Sequence, residues 1–226
     1  MPDPVICVFD LDHTLVSSPL DLRAVAREME AFVREGGVDV PAREFAWSAP
    51  ELLALVRREA PHLEAAVLVI PVAHERRAME EASLEPFALE TLAAVKQIGC
   101  GAAVWTNNDR VVSDFVLTRF GLIHHLDLVV TRDDVRHLKP DPDGLRVVRE
   151  RWPVAEQIFV VGDSWVDGVA ARAGGVPFIA YRGDRAELAR RGVTPVGVIT
   201  SLRDLPAVLG EYPQRARGTC AGPSSR

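Results

Sequence analysis

The feature that most constrains the fold of this chain is a set of short apolar segments that do not alternate between polar and apolar residues. Such segments are typical of strands that are buried on both faces, as in a parallel sheet. Helical patterns separate them, and this alternation predicts βαβ units with right-handed crossovers, hence an α/β fold with a doubly wound parallel sheet. The predicted strand segments are residues 5–9, 102–105, 128–130, 158–161, 176–180 and 197–199.

The chain between the first and second strand segments is much longer than a single crossover helix requires. Residues 22–33 within it carry their apolar side chains on one helical face, which indicates an amphipathic helix. Residues 52–56 and 63–72 continue the helical pattern. We therefore predict a small helical domain that is inserted after the first strand and packs on itself.

The predicted domain organisation follows from this insertion. Pro19 and Pro86 would stiffen the two crossings between the insertion and the sheet domain. The predicted units are a sheet domain of residues 1–16 and 86–210, a helical insertion of residues 17–85, and a disordered tail of residues 211–226.

Composition and charge exclude several classes of partner. The formal net charge is −6 and no block of basic residues occurs, which argues against nucleic acid. No apolar run is long enough for a membrane span, and no basic-then-apolar signal segment begins the chain. Cys7, Cys100 and Cys220 show no metal-binding or redox spacing. We expect a soluble, cytoplasmic protein.

The residues that follow the strand segments are candidate site residues, because ligands bind beyond the carboxyl ends of the strands in open parallel sheets. Each also has a purely structural interpretation, since Asp, Thr and Asn often end strands or cap helices. Only two of the 26 basic residues are lysines, so a lysine in this region favours a need for a compact ammonium group. The candidates are Asp10, Asp12, Thr106, Asn107, Lys139, Asp163 and Asp167.

Four carboxylates at one sheet edge predict a bound cation. Two unit charges about 4 Å apart repel by about 4 kcal/mol at an effective dielectric constant of about 20. Mg²⁺ prefers oxygen ligands and is usually held by one or two carboxylates with substrate phosphate and water. The predicted ligands are Asp10, the main-chain carbonyl of Asp12, and Asp163, with Asp167 supporting them from behind.

With a metal bound, these side chains have the chemistry of phosphoryl transfer. Asp10 can act as a nucleophile toward phosphorus, because Mg²⁺ and Lys139 offset the charge of the phosphate. Asp12 can protonate the leaving oxygen and then activate water as a general base. Thr106 and Asn107 can donate hydrogen bonds to the phosphoryl oxygens.

Four short motifs, in their order along the chain, resemble those of the haloacid dehalogenase-like (HAD) superfamily. The similarity covers about residues 5–181, and the insertion is similar to the cap of the phosphoglycolate phosphatase and β-phosphoglucomutase group. The resemblance implies a Rossmann-like core, a Mg²⁺-dependent phosphoaspartate mechanism, and a cap that closes over small phosphorylated metabolites. The motifs are DLDHT at residues 10–14, TN at 106–107, KP at 139–140 and GDSWVD at 162–167.

One residue departs from the family pattern. His13 stands where glycine is commonest in the family, and a residue with a side chain is less free in a turn. His13 is either a tolerated turn residue or a side chain that reaches the substrate.

The leading functional prediction is a phosphatase that acts on a small phosphorylated metabolite. We expect the protein to be a monomer or a homodimer. A phosphomutase of the β-phosphoglucomutase type would use the same four motifs, and a catalytically silent binding protein could share the fold. A dehalogenase would also use an aspartate nucleophile, but the family's dehalogenases lack the second aspartate that Asp12 supplies, which argues against that function. A phosphonatase of this group would need a lysine in the cap, and none occurs between Val16 and Glu85.

Overall fold

Eight strands lie within residues 5–210, the part of the chain that the computed structural model describes. Six of them form one parallel sheet in the order β5-β4-β1-β6-β7-β8, numbered as below, which confirms the predicted doubly wound fold. The strands are β1 (Val5–Phe9), β2 (Val16–Ser17), β3 (Ser83–Leu84), β4 (Gly101–Trp105), β5 (Leu128–Val130), β6 (Gln157–Gly162), β7 (Phe178–Tyr181) and β8 (Gly197–Ile199).

Eight α-helices connect these strands, and the first three lie between β2 and β3. Within residues 5–210, no helix is both long enough and apolar enough to cross a membrane. The predicted tail, including Cys220, lies outside the described residues. The helices are α1 (Leu22–Glu35), α2 (Ala49–Glu59), α3 (Glu64–Glu80), α4 (Ala88–Gln97), α5 (Arg110–Arg119), α6 (Asp143–Arg151), α7 (Trp165–Ala173) and α8 (Arg185–Arg190).

The two faces of the sheet enter two different hydrophobic clusters. On β1, Cys7 and Phe9 belong to a cluster that includes side chains of α4 and α5. Ile6 and Val8 belong to a second cluster that includes side chains of α6 and α7. All four are fully buried, which is the physical reason why the strand segments are continuously apolar rather than alternating.

Helices α1, α2 and α3 surround a third hydrophobic cluster, which includes Met29, Leu52 and Val67. The chain enters and leaves this helical insertion through β2 and β3, which pair antiparallel and so lie side by side. Helix α3 extends beyond the third cluster, because Met79 near its end packs into the first cluster of the sheet. The domain boundaries at residues 16 and 85 stay a prediction.

The start of α2 within the insertion is fixed by the carboxylate of Glu51. It accepts hydrogen bonds from the Ser48 backbone N–H at 2.9 Å, the Ser48 hydroxyl at 2.6 Å and Arg43 Nη2 at 2.7 Å. The Arg43 guanidinium, followed by these bonds from Ser48, lowers the pKa of Glu51 to about 2.

We expect Glu51→Gln to lower the free energy of unfolding at pH 7 by about 1 kcal/mol, because the carboxylate is nearly half exposed and solvent screens its pair with Arg43. The folded-state pKa lies below the unfolded value, so the stabilisation is complete above about pH 4.3 and is lost as the pH falls toward about 2. Urea unfolding at pH 7 and pH 3 measures it. Glu44→Gln, in the loop before α2, is the control, and an equal difference at both pH values would contradict the assignment.

Candidate active site

The carboxyl ends of β1, β4 and β6 meet at one edge of the sheet. Sheet hydrogen bonding continues one residue beyond the strands there, since the Asp10 N–H donates to the Val161 carbonyl at 2.8 Å and the Thr106 N–H donates to the Val130 carbonyl at 2.9 Å. The backbone of each of these candidate residues is therefore fixed by the sheet itself, as the parallel topology predicts.

The buried ammonium group of Lys139 joins the ends of β1 and β4 to the start of α7. Its Nζ donates to Asp10 Oδ1 at 2.6 Å, to Asp167 Oδ1 at 2.6 Å and to the Trp105 carbonyl at 2.8 Å. An ammonium group has three donors, so all three are used. Burial opposes the charge on Lys139, which is 3% exposed, but the carboxylates of Asp10 and Asp167 outweigh it and raise the pKa of Lys139 above its ordinary value.

Asn107 fixes the main chain of Lys139. Its Nδ2 donates to the Lys139 carbonyl at 3.0 Å, and its Oδ1 accepts the Lys139 N–H at 2.9 Å. One Nδ2 proton of Asn107 remains for another acceptor. Thr106 is buried beside it, and its hydroxyl oxygen accepts the Asn108 N–H at 3.2 Å.

Asp10, Asp163 and Asp167 form an acidic cluster in which one carboxylate oxygen of each lies within 4.8 Å of the others. Burial raises the pKa of Asp10 well above its ordinary value; Lys139 opposes the rise, and the other two carboxylates add to it. Burial, followed by the charge of Asp167, raises the pKa of Asp163 to about 7. The ammonium group of Lys139 thus neutralises only part of the negative charge of the acidic cluster. The carboxylate oxygens of the cluster are ligands of the kind that a hard divalent cation prefers.

Asp167 is held in place by its own helix. Its Oδ2 accepts a hydrogen bond from the Ser164 hydroxyl at 2.6 Å at the start of α7, while Oδ1 accepts from Lys139. A Cβ on Gly162 would lie 2.6 Å from the Asp167 carboxylate, so the glycine at the end of β6 leaves the space that this side chain occupies.

Asp12 differs from the acidic cluster because one of its oxygens has no partner. Its Oδ2 accepts a hydrogen bond from the Ser18 hydroxyl at 3.0 Å, whereas its buried Oδ1 has no hydrogen-bond partner within the described residues. Burial raises the pKa of Asp12, and the charge of His13 and the bond from Ser18 oppose the rise. An open, buried oxygen with a raised pKa is suited to holding and transferring a proton.

His13 occupies the turn between the two aspartates and β2. Its φ is +59°, in the left-handed region that glycine adopts most readily, and its N–H donates to the Val16 carbonyl at 2.6 Å. The side chain is exposed. The departure from the family pattern is therefore accommodated by a left-handed turn that keeps Asp12 and Ser18 in contact.

Three groups at the site were not among the sequence candidates. The Ser164 hydroxyl and the Trp105 carbonyl hold Asp167 and Lys139, and both adjoin candidate residues, so the strand-end rule could have included them. Ser18 holds Asp12, and nothing in its local sequence distinguishes it from other serines.

A family model for haloacid dehalogenase-like hydrolases matches residues 7–181, from within β1 to the end of β7. The chain belongs to the haloacid dehalogenase-like hydrolase family. The resemblance predicted from the four motifs is thereby confirmed, and the match includes every candidate site residue.

This hydrolase is similar to curated phosphoglycolate phosphatases. It is 32% identical to one from Cereibacter sphaeroides over 184 residues, which is 77% of this chain and 83% of that protein. It is 37% identical to a plasmid-encoded one from Cupriavidus necator over 122 residues, about half of each chain (52%).

Solved structures share the fold of this hydrolase. A hydrolase from Pseudomonas syringae aligns with a TM-score of 0.66 at 21% identity, over 91% of this chain and 98% of that chain. A HAD-superfamily hydrolase of subfamily IA from Geobacter sulfurreducens aligns with a TM-score of 0.59 at 22% identity, over 91% of this chain and 99% of that chain.

The chain's two lysines allow a direct test of the charge balance at the site. We expect Lys139→Met to lower the free energy of unfolding by about 3–5 kcal/mol at pH 7 in EDTA, because it leaves buried carboxylates without their counter-charge. Lys96→Met is the matched control: Lys96 pairs with Asp127 at 2.5 Å but is 39% exposed, so its loss should cost less than about 1 kcal/mol. Urea unfolding measures both, and equal losses would contradict this interpretation.

Proposed function

We propose that this hydrolase is a Mg²⁺-dependent phosphatase that hydrolyses a small phosphorylated metabolite through an aspartyl-phosphate on Asp10. The observation that carries the proposal is the contrast between two neighbouring aspartates. Lys139 holds the carboxylate of Asp10 within an acidic cluster, whereas Asp12 keeps one buried oxygen open. The family match and the phosphoglycolate phosphatase relatives support the same reaction class.

In the proposed first step, an oxygen of Asp10 attacks phosphorus and the bond between phosphorus and the leaving oxygen breaks. Lys139 fixes the rotation of the Asp10 carboxylate and offsets negative charge beside it. Asp12 gives its proton to the leaving oxygen, so the product leaves as a neutral alcohol. Thr106 and the uncommitted Nδ2 proton of Asn107 donate hydrogen bonds to the phosphoryl oxygens.

In the proposed second step, water attacks the phosphorus of the aspartyl-phosphate and the bond to Asp10 breaks. Asp12, now ionised, takes the proton of the attacking water and returns to its initial state. The Ser18 hydroxyl bond fixes the Asp12 carboxylate, so the open Oδ1 is the oxygen that exchanges the proton in both steps.

Asp10, the Asp12 carbonyl and Asp163 are the residues that would hold Mg²⁺. When bound, the ion would offset the charge of the phosphate and of the acidic cluster. Asp167 would orient these ligands from behind, since both of its oxygens are held by Lys139 and Ser164.

Phosphoglycolate is the first substrate to test, because the curated relatives at 28–37% identity carry that activity in their names. The helical insertion, which lies directly after the Asp12 turn in the chain, would act as the cap that covers the substrate.

We expect magnesium-dependent hydrolysis of p-nitrophenyl phosphate by the native chain, loss of that activity in EDTA, and a decrease of at least about a thousandfold in Asp10→Asn, which lacks the nucleophile. Asp114→Asn, an exposed aspartate on α5, is the control and should keep native activity. Turnover that survives Asp10→Asn would overturn the assignment of the nucleophile. Phosphoglycolate and sugar phosphates then identify the substrate, and conversion of one sugar phosphate into its isomer would identify a mutase.

Asp12→Asn separates the two proposed steps. The p-nitrophenolate group leaves without needing a proton, so we expect one rapid equivalent of p-nitrophenolate per enzyme followed by turnover about 10²–10⁴-fold slower than native. Stopped-flow absorbance measures the burst, and intact-protein mass spectrometry detects the phosphorylated chain. A variant without a burst and with native steady-state turnover would exclude Asp12 from acid–base catalysis.

A further inference from the structure

A second buried ion pair lies outside the acidic cluster and joins the helical insertion to the sheet domain. Glu75 on α3 is 4% exposed, and Arg132, in the turn after β5, is 5% exposed. The contact is bidentate, since Arg132 Nη1 donates to Glu75 Oε1 at 3.0 Å and Nη2 donates to Oε2 at 2.9 Å. Bidentate geometry fixes the two side chains in direction as well as distance.

The pair also holds a single peptide group of the loop after β4. Glu75 Oε2 accepts the Asp109 N–H at 3.0 Å, and the Arg132 N–H donates to the Asn108 carbonyl at 3.1 Å. These are the N–H and the C=O of the same peptide bond, so both of its polar groups are bound. This peptide directly follows Thr106 and Asn107.

We propose that Glu75 is a positioning residue that fixes the phosphoryl-binding loop of Thr106 and Asn107. This inference rests on the proposed function, in which these two residues donate hydrogen bonds to the phosphoryl group. Asn107 is held by Lys139 on one side, and the Asn108–Asp109 peptide is held by Glu75 and Arg132 on the other. The loop is thereby fixed from two sides, one of which belongs to the helical insertion.

Stability alone does not require a charged pair at this position. Apolar residues of similar volume often replace a buried ion pair without loss of stability, because burying two charges is costly. An apolar side chain has no acceptor for the Asp109 N–H, and it therefore cannot fix the direction of that peptide group. The property that Glu75 adds is an acceptor at a fixed position.

Glu75 has the rigid support that this role requires. Arg119, near the end of α5, donates from Nη1 to the carbonyls of Met79 at 3.0 Å and Glu80 at 2.8 Å, at the end of α3. Asp109 caps the start of α5 through the N–H groups of the next turn. Both ends of α5 are thus joined to the last turns of α3, the start through the Asp109 N–H and Glu75, and the end through Arg119.

The test is the affinity for inorganic phosphate in the presence of Mg²⁺, measured by isothermal titration calorimetry on the full chain. We expect Glu75→Leu, which has no acceptor for the Asp109 N–H, to raise the Kd for phosphate by about tenfold, the equivalent of one hydrogen bond, with a matching rise in KM for p-nitrophenyl phosphate. Glu80→Leu, at an exposed position on the same helix, is the matched control and should bind phosphate as the native chain does.

The double variant Glu75→Leu/Arg132→Met separates positioning from stability. It removes both charges, so its thermal midpoint should stay near that of the native chain, while its Kd for phosphate rises by about tenfold or more. Amide hydrogen exchange over residues 106–112 should also become faster. A double variant that binds phosphate as tightly as the native chain would overturn the inference.

The inference and the proposed function fail in different ways. A native chain that binds phosphate without hydrolysing any ester would refute the proposed function, while the comparison of Kd values would still decide the role of Glu75. A native chain that binds no phosphate would refute the positioning role itself.

Discussion

A single buried ammonium group, Nζ of Lys139, is the contact on which the candidate site depends. Its three hydrogen bonds go to protein oxygens instead of water, namely those of Asp10, Asp167 and the Trp105 carbonyl. An unpaired buried charge costs several kcal/mol, so the ends of β1 and β4 and the start of α7 must stay where the ammonium group requires them. The sheet brings these segments to one edge, and the charge then fixes their relative positions to within a hydrogen bond.

The fold could be predicted from the sequence because burial on both faces of a strand leaves a direct signal. The predicted ends of the strands and helices were less accurate, since these ends depend on hydrogen bonds rather than on hydrophobicity. Residues 176–180 were predicted as a strand, but β7 is Phe178–Tyr181, and Pro177, which has no N–H to donate, lies before it. Helix α2 was predicted over residues 52–56 and spans Ala49–Glu59, because its polar first and last turns lie outside the apolar stripe.

The site could be predicted only where parallel-sheet geometry determines which residues meet. Asp10, Thr106 and Asp163 follow neighbouring strands, so the topology alone brings them together, and their chemical roles stay predictions. Ser18 and the pair of Glu75 with Arg132 could not be found in this way. Each is a common residue type whose partner depends on how the insertion packs, and no periodicity or motif in the chain records that packing.

Helix α3 links the hydrophobic interior of the insertion to that of the sheet. Its first half packs into the insertion's own cluster through Val67, and its end packs into the sheet's first cluster through Met79. Pro71 lies between them and has no N–H for the helical hydrogen bond to Val67, so the helix is weakest there. Rotation about the crossing at β3 would separate Glu75 from Arg132, whereas bending at Pro71 would leave that pair intact. Pro71 therefore separates the part of α3 that packs into the insertion's cluster from the part that carries Glu75 and Met79.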